Sequence, residues 1–285
     1  MTGGRVSAAH ARGAAFHALL LLSLAVGFVT LGALLVDVLR RGLPYLDLAL
    51  LTNPPSTDPQ VAGARPAIIA TVYMMGILLA TALPIGVGTA IYLEEYADRE
   101  RWYNRLLDLN IQNLAAVPSI VYGILGLAFL VRGLGLGRVL LAGALILTLL
   151  VLPIVIVSAR EAIRAVPDSI RQGGYALGAT RWQVIWRQVL PAAIPGIATG
   201  SILALARAIG ETAPLILVGA LTYVAFDPTL LGPFTALPIQ IYQYISRPQE
   251  EFKLIAAAAI LVLLALLLVL NGFAIWLRNR YQKRW

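Results

Sequence analysis

Residues 192–226 read AAIPGIATGSILALARAIGETAPLILVGALTYVAF, an apolar segment whose only charged residues are Arg207 and Glu211. Each charge costs roughly 2.5–3.5 kcal/mol at the centre of a membrane helix on insertion scales. The spacing i, i+4 predicts that both side chains lie on one helix face, one turn apart, where they can pair. Pairing lowers the cost without removing it, because both charges still lose their water. The segment therefore predicts a membrane span in which the charges have a role.

Two explanations of the Arg207–Glu211 pair remain open from the sequence. Charges inside a membrane usually face a bundle interior or a watery pathway, where they mark the passage of a polar substrate. Alternatively, the pair is a salt bridge that holds helices together, or Arg207 extends its side chain to a membrane interface. We favour the pathway because both residues lie far from either end of the apolar segment.

The composition is that of an integral membrane protein. Of the 285 residues, 59% are hydrophobic and 13% are charged, whereas soluble domains carry about 25% charged residues. A helix needs about 20 apolar residues to span a bilayer. The apolar runs that approach or exceed this length are residues 14–36, 67–93, 114–131, 139–159, 192–226 and 254–277. The predicted fold is therefore all-α, a polytopic membrane protein with six transmembrane helices.

Basic residues predict the orientation of these spans, because cytoplasmic loops carry an excess of Lys and Arg. With the N-terminus inside, the inner segments hold twice as many basic residues as the outer segments. The inner residues are Arg5, Arg12, Arg99, Arg101, Arg105, Arg160, Arg164, Arg171, Arg181, Arg187, Arg278, Arg280, Lys283 and Arg284. Both termini are therefore expected in the cytoplasm. The net charge of +8 is explained by topology, and no soluble basic face is left over for nucleic acid.

Several kinds of chemistry are excluded by the residues that the chain lacks. Cysteine is absent, so neither disulfides nor thiolate metal sites can form. The only lysines are Lys253 and Lys283, and neither follows a glycine. A phosphate-cradling P-loop requires Gly-Lys-Ser/Thr, so this chain cannot hydrolyse ATP in that way. We expect a protein that is not an enzyme and holds no cofactor, and whose energy comes from a partner or from an ion gradient.

The cytoplasmic segment 160–191 has the pattern of two short helices joined at a glycine. Pro167 suits the first turn of a helix, and Gly178 is placed to end that helix in the left-handed conformation. Residues 180–183, TRWQ, then read as a capping box that opens a second short helix, which runs to Pro191. This elbow is either an amphipathic element on the membrane surface or a docking knob for a cytoplasmic partner.

At this elbow the chain resembles the membrane subunits of bacterial ABC importers. Their cytoplasmic signature is Glu-Ala-Ala, three residues, Gly, nine residues, and then Ile-x-Leu-Pro. Here Gly178 is followed at the same spacing by residues 188–191, QVLP, whereas residues 172–174 are QGG in place of Glu-Ala-Ala. Two glycines cost a helix roughly 0.8–1 kcal/mol each relative to Ala, so the first half of the elbow is expected to be less rigid.

Three further segments are similar to phosphate permeases of the PstA type. Residues 86–96 read GVGTAIYLEEY and residues 113–123 read NLAAVPSIVYG. Residues 207–214, RAIGETAP, resemble the Arg-Ala-x-Gly-Glu-Thr motif of phosphate permease subunits. Sulfate and molybdate permeases tend to carry an aromatic residue after that Glu, so Thr212 favours phosphate. The resemblance extends from about residue 66 to the C-terminus.

The resemblance implies a type I ABC importer permease fold in a bacterial inner membrane, working by alternating access. It implies a permease core at residues 66–277, which contains the elbow at about 160–191. The expected segments before the core are a tail at 1–13 and a first helix with its external loop at 14–65. A second tail, at 278–285, is expected after the core. The expected partners are a PstC-like second permease, two PstB-like ATPases that hold ATP and Mg, a PstS-like periplasmic phosphate-binding protein, and the lipid bilayer.

The resemblance also assigns residues to two sites. The expected substrate pathway contains Arg207, Glu211, Thr212, Ser119 and Tyr122. The expected contact with the ATPase contains Tyr175, Ala176, Leu177, Gly178, Ala179, Thr180 and Arg181. Arg207 would attract the anion through its charge and its planar fork of donors, which suits phosphate oxygens.

Three other readings remain open from the residues. The first is a permease for another oxyanion, such as sulfate or molybdate. The second is an ion-driven secondary transporter or channel that acts alone; it predicts inverted internal repeats, which the sequence does not show by inspection, and it leaves the elbow unexplained. The third is a structural membrane protein in which Arg207 and Glu211 only join helices.

Overall fold

The computed structural model describes residues 3–98, 100–221 and 223–281. Arg99, Lys283 and Arg284, which enter the charge count above, lie outside the described residues, as do the side chains of Arg5 and Arg12. All regular structure in the described part of the chain is helical. This confirms the all-α prediction.

The described residues form twelve α-helices. They are α1 (Gly3–Gly42), α2 (Leu48–Thr52), α3 (Arg65–Ile91), α4 (Trp102–Ala116), α5 (Ser119–Gly126), α6 (Leu140–Arg164), α7 (Asp168–Ala176), α8 (Arg181–Val184), α9 (Leu190–Gly210), α10 (Ala213–Val218), α11 (Leu237–Ile245) and α12 (Glu250–Tyr281). Short π-helical turns extend three of them, at Tyr92–Tyr96, Leu127–Gly133 and Ile185–Val189, and a 3-10 turn follows α1 at Leu43–Tyr45.

Five continuous helical segments in the described chain are long and apolar enough to cross a membrane. They are Gly13–Tyr45, Arg65–Tyr96, Leu140–Arg164, Arg181–Gly210 and Glu250–Arg280. A sixth crossing exists only if Trp102–Ala116 and Ser119–Gly133, which meet at an angle of 105°, are taken together as one broken span. Each of the six predicted spans overlaps one of these five segments or the bent pair, although the bounds differ for two of them.

The prediction of a continuous third span over residues 114–131 is wrong. Helix α4 ends at Ala116, and Val117 and Pro118 are extended, with ψ of 132° and 137°. The proline explains the break, because its ring disfavours the helical conformation of the residue before it. Prolines inside α3 and α6 (Pro84 and Pro153) do not interrupt those helices.

The fifth predicted span, residues 192–226, is also not one helix. Helix α9 ends at Gly210, Glu211 is extended, and the short α10 begins at Ala213. Pro214 accounts for the interruption, because a proline ring clashes with the carbonyl four residues earlier, here that of Gly210. At the other end, the predicted boundary at Pro191 is wrong, because the helical segment that begins at Arg181 continues through Pro191 to Gly210.

Helix α6 lies at the centre of the bundle, between α3 and α9. Eight of its residues between Leu140 and Val155 are buried in one apolar cluster that also includes residues of α3, α9 and α10. Helices α3 and α6 run parallel, and the hydroxyl oxygens of Thr81 and Thr148 are 2.8 Å apart between them. Helices α6 and α9 run antiparallel, with Gly196 packed so closely on α6 that a Cβ there would lie 2.6 Å from that of Ala162.

The connections that precede α3 and α12 fold against each other at the end of the bundle where these two helices begin. The connection between α1 and α3 contains α2, and the connection between α10 and α12 contains α11. The Tyr244 hydroxyl donates a 2.6 Å hydrogen bond to the Gly63 carbonyl. Arg65 and Asp227 form a 2.6 Å salt bridge. These contacts hold this end of the helix bundle in place.

Candidate functional site

The interrupted end of α9 carries the two charges of the apolar segment. Arg207 is in the last turn of α9, and its Nε lies 3.4 Å from Oε1 of Glu211. The prediction that both residues stand on one helix face is wrong, because Glu211 is the first residue beyond the helix, with φ −73° and ψ 129°. The pairing itself is confirmed. Arg207 also lies where the negative end of the helix dipole favours a cation.

Packing of α9 on α6 shows how deep this pair lies. Gly200 of α9 packs on Ser158 of α6, and Gly196 packs on Ala162. Because the helices are antiparallel, each step forward along α9 is a step back along α6, which places Arg207 level with Val151. At 1.5 Å per residue, Val151 is about 16 Å from one end of α6 and about 20 Å from the other. The charge pair therefore lies near mid-membrane.

The backbone around Glu211 is irregular at this depth. Unpaired backbone groups are costly in lipid, so such a break is tolerated only where it is buried in protein or lines a watery cavity. The Glu211 side chain is 16% exposed, whereas that of Arg207 is 43% exposed. Among the residues that the structure describes, neither terminal nitrogen of the Arg207 guanidinium has a hydrogen-bond partner. Arg207 thus presents free donors on a face that this chain does not cover.

The structure brings two of the family-like segments together at the break. Helix α5 packs so closely on α10 that a Cβ on Gly123 would lie 2.7 Å from the Cα of Pro214. Ser119, half-buried, begins α5, and Thr212 directly precedes α10. Residues 113–123 and 207–214 therefore meet, although they are far apart in the sequence.

Tyr122 and Thr212 make local contacts on this surface. The buried Tyr122 donates a 2.9 Å hydrogen bond to the Leu114 carbonyl across the bend between α4 and α5. Its hydroxyl therefore stabilises the bent pair. The Thr212 hydroxyl lies 3.4 Å from the Gly210 carbonyl at the end of α9. Of the five expected pathway residues, Arg207 is the one that presents charged donors at the open face.

At the opposite end of the bundle from α2 and α11, the elbow has the predicted turn. Gly178 has φ of +77°, a left-handed conformation that glycine adopts without strain. Its N–H bonds to the Tyr175 carbonyl at 2.9 Å. Thr180 and Gln183 form the predicted capping box, in which Gln183 Oε1 accepts from the Thr180 N–H at 2.9 Å. These local rules were sufficient to predict the elbow.

The surface of the elbow is apolar and exposed at its tip. Leu177 is 87% exposed and Tyr175 is 43% exposed. Behind the tip, Gly174 is buried, and a Cβ there would lie 2.7 Å from Val184 Cγ2. The expectation that the glycines at 173 and 174 loosen the first helix misses this second role, because Gly174 lets α7 pack closely on α8.

An ion-pair network at the elbow end of the bundle was not predicted from the sequence. Glu94 and Glu95, in the π-helical turn that follows α3, have side chains only 2% and 5% exposed. They bind arginines that the sequence analysis counted only as topology signals, Arg160 and Arg171. The available signal was two acidic residues directly after an apolar span, at the side where basic residues gather.

Comparisons with known proteins place these features in a family. Residues 82–283 match the family described as "Binding-protein-dependent transport system inner membrane component". The chain is 36% identical over 217 residues to "Phosphate transport system permease protein PstA 1" of Mycobacterium tuberculosis (strain CDC 1551 / Oshkosh), covering 76% of this chain and 70% of the relative. It is 34% identical over 245 residues to the PstA protein of Yersinia pestis, covering 85% and 81%.

A solved structure shares the fold at low sequence identity. It is the crystal structure of a bacterial ABC transporter involved in the import of the acidic polysaccharide alginate. One of its chains matches with a TM-score of 0.59 and 19% identity, covering 90% of this chain and 96% of that chain. The helical arrangement is thus the type I ABC importer permease fold. Permeases of this kind are multi-pass inner-membrane subunits, not enzymes themselves, and they work with other ABC components. The chain belongs to the binding-protein-dependent transport system inner membrane component family.

Proposed function

We propose that this chain is the PstA-like permease subunit of an ATP-driven importer that moves inorganic phosphate across the bacterial inner membrane. The observation that carries the proposal is Arg207, a half-exposed arginine near mid-membrane. Its planar guanidinium suits phosphate oxygens. The phosphate permeases among its relatives support phosphate over sulfate or molybdate as the cargo.

The pathway follows from the position of Arg207 beside the broken backbone. Its free donors attract the anion to the level of the break, and Glu211 holds the side chain in place through Nε. Ser119, Tyr122 and Thr212 belong to the same surface, formed where α5 meets α10. Phosphate must bind only weakly at the level of Arg207, because the permease has to release the anion for transport to continue.

The partners follow from what this chain does not contain. A PstC-like permease covers the open face of Arg207, a PstS-like protein delivers phosphate from outside, and two PstB-like ATPases hold ATP and Mg. The tip of the elbow, residues 175–181, docks on the ATPase, and this contact includes Ala176 and Ala179. The core is residues 66–277, and both termini are cytoplasmic.

The test is transport by the complex reconstituted in lipid vesicles with its partner chains. We expect ATP-dependent uptake of labelled phosphate that unlabelled sulfate and molybdate do not inhibit. Arg207→Lys keeps the charge but loses the planar fork, so it is expected to impair uptake at a normal protein level in the membrane. Uptake driven by an ion gradient without ATP, or a preference for sulfate or molybdate, would refute the proposal.

A further inference from the structure

Arg171 of α7 uses its whole guanidinium to join the elbow to two other elements. Its Nε and Nη2 donate to Oε1 of Glu95 at 3.1 and 2.8 Å. Its Nη1 donates to the Val166 carbonyl at 2.6 Å and to Asp168 Oδ1 at 3.1 Å, and its Nη2 also donates to the Ile163 carbonyl at 3.0 Å. A guanidinium has five N–H donors, and these five bonds use all of them.

The joint connects three elements, of which the turn that carries Glu95 is 76 residues from Arg171, whereas Val166 and Ile163 are 5 and 8 residues from it. Glu95 belongs to the π-helical turn at the end of α3, Ile163 and Val166 belong to the end of α6 and the turn after it, and Arg171 lies on the elbow. The side chains of Glu95 and Arg171 are 5% and 15% exposed. A buried ion pair is weak evidence of stabilisation, since apolar residues often hold a fold as well. A fully bonded fork does fix the relative orientation of its partners.

The neighbouring Glu94 ties the same turn to α6. Its Oε1 accepts from Arg160 Nε at 2.9 Å and from Arg164 Nη2 at 2.8 Å. Consecutive carboxylates thus bind different elements, Glu94 the body of α6 and Glu95 the elbow. Single π-helical turns within helices occur frequently at functional sites. Here the turn is the place where α3, α6 and the elbow meet.

We propose that Arg171 is a positioning residue that makes the elbow, α3 and α6 move as one body, so that ATPase motion reaches the pathway. This inference rests on the proposed function. A displacement of the elbow is transmitted by Arg171 to Glu95 and therefore to α3. The bonds from Arg171 to the carbonyls of Ile163 and Val166 transmit the same displacement to α6. Because α6 packs on α9 at the level of Arg207, a movement of α6 also displaces the end of α9 that carries Arg207 and Glu211.

The experiment uses the complex assembled with its partner chains in lipid, in which phosphate uptake and ATP hydrolysis are measured on the same preparation. Arg171→Gln and Glu95→Gln are expected to lower the phosphate moved per ATP on the order of tenfold, within the usual range of coupling between sites. Asp168→Asn is the matched control. This substitution also removes a carboxylate that binds Arg171, but the Asp168 side chain is 84% exposed. The amount of phosphate moved per ATP hydrolysed should therefore stay at the wild-type value.

A distance measurement separates this joint from the proposed function. The chain contains no cysteine, so spin labels can be placed at Ser169→Cys on the elbow and Glu100→Cys beyond α3. The distance should stay constant and narrow in wild type with and without ATP, and broaden in Arg171→Gln. If wild type moves no phosphate, the proposed function fails, and the distances still decide the joint.

Two results would overturn the inference. One is a wild-type ratio of phosphate to ATP in both Arg171→Gln and Glu95→Gln. The other is an unchanged, narrow distance in Arg171→Gln. If that variant does not accumulate in the membrane, Arg171→Lys is tested in its place, because it keeps the charge while losing the five-bond fork.

Discussion

Replacing Gly178 by valine tests whether the shape of the elbow couples ATP hydrolysis to transport. Gly178 has φ of +77°, and a Cβ built there meets no atom within 4 Å. A Cβ at this position therefore adds backbone strain without a clash inside the described chain. An L-residue in the left-handed conformation costs about 1–2 kcal/mol, and a β-branched residue costs more.

This magnitude distorts the elbow without unfolding the protein. A change of 1–2 kcal/mol shifts a local equilibrium roughly 5- to 30-fold, while whole domains are stable by about 5–15 kcal/mol. We expect Gly178→Val to reach the membrane and to assemble with its partners. Phosphate uptake per ATP hydrolysed should fall by a similar factor, because the proposed contact of the exposed tip at Leu177 with the ATPase would be misaligned.

Two variants provide controls for this measurement. Gly173→Val makes the same chemical change inside α7, where a Cβ also meets open space. Because the backbone there is helical, phosphate uptake per ATP hydrolysed should equal that of wild type. Gly178→Asn should retain much of the coupling, because Asn tolerates the left-handed conformation. Normal coupling in Gly178→Val would refute the reasoning. Equal loss in Gly173→Val would show that bulk at the elbow matters rather than its turn.

Two further predictions concern topology and packing. With single cysteines and an impermeant reagent in intact cells, Thr57→Cys should be labelled from outside and Thr180→Cys should not; external labelling of Thr180→Cys would reverse the orientation. Gly123→Ala should destabilise the protein by about 1–3 kcal/mol through overpacking against the backbone of Pro214, as measured by thermal unfolding in detergent. Gly76→Ala, where a Cβ meets no atom within 4 Å, should instead stabilise α3 by up to about 1 kcal/mol, and a loss equal to that of Gly123→Ala would argue against the packing explanation.

Sequence rules succeeded where the cause is local. The turn at Gly178 and the capping box at Thr180 depend on residues within one helical turn, so their spacing was sufficient. Breaks at proline were not predicted. Pro118 and Pro214 interrupt helices, whereas Pro153 continues one, and the difference depends on what packs around each proline.

Long-range pairs could not be predicted for a different reason. Arg160 and Glu94 are 66 residues apart in the chain, and Arg171 and Glu95 are 76 residues apart. The pattern of charges in the sequence identifies these acidic and basic residues, but it does not show which of them form ion pairs. The parallel packing of α3 on α6 brings them together, and that packing depends on the whole bundle.

The pathway role of the mid-membrane pair is tested most directly by removing both charges. In the double variant Arg207→Gln, Glu211→Gln, no unpaired charge remains, and neutral replacement of an ion pair is often tolerated. The matched control is Asp37→Asn, Arg41→Gln, an i, i+4 pair at the end of α1. Phosphate uptake is measured together with the protein level in the membrane. We predict that the first double variant is correctly inserted but inactive while the control transports normally; full uptake by the first would contradict a pathway through Arg207.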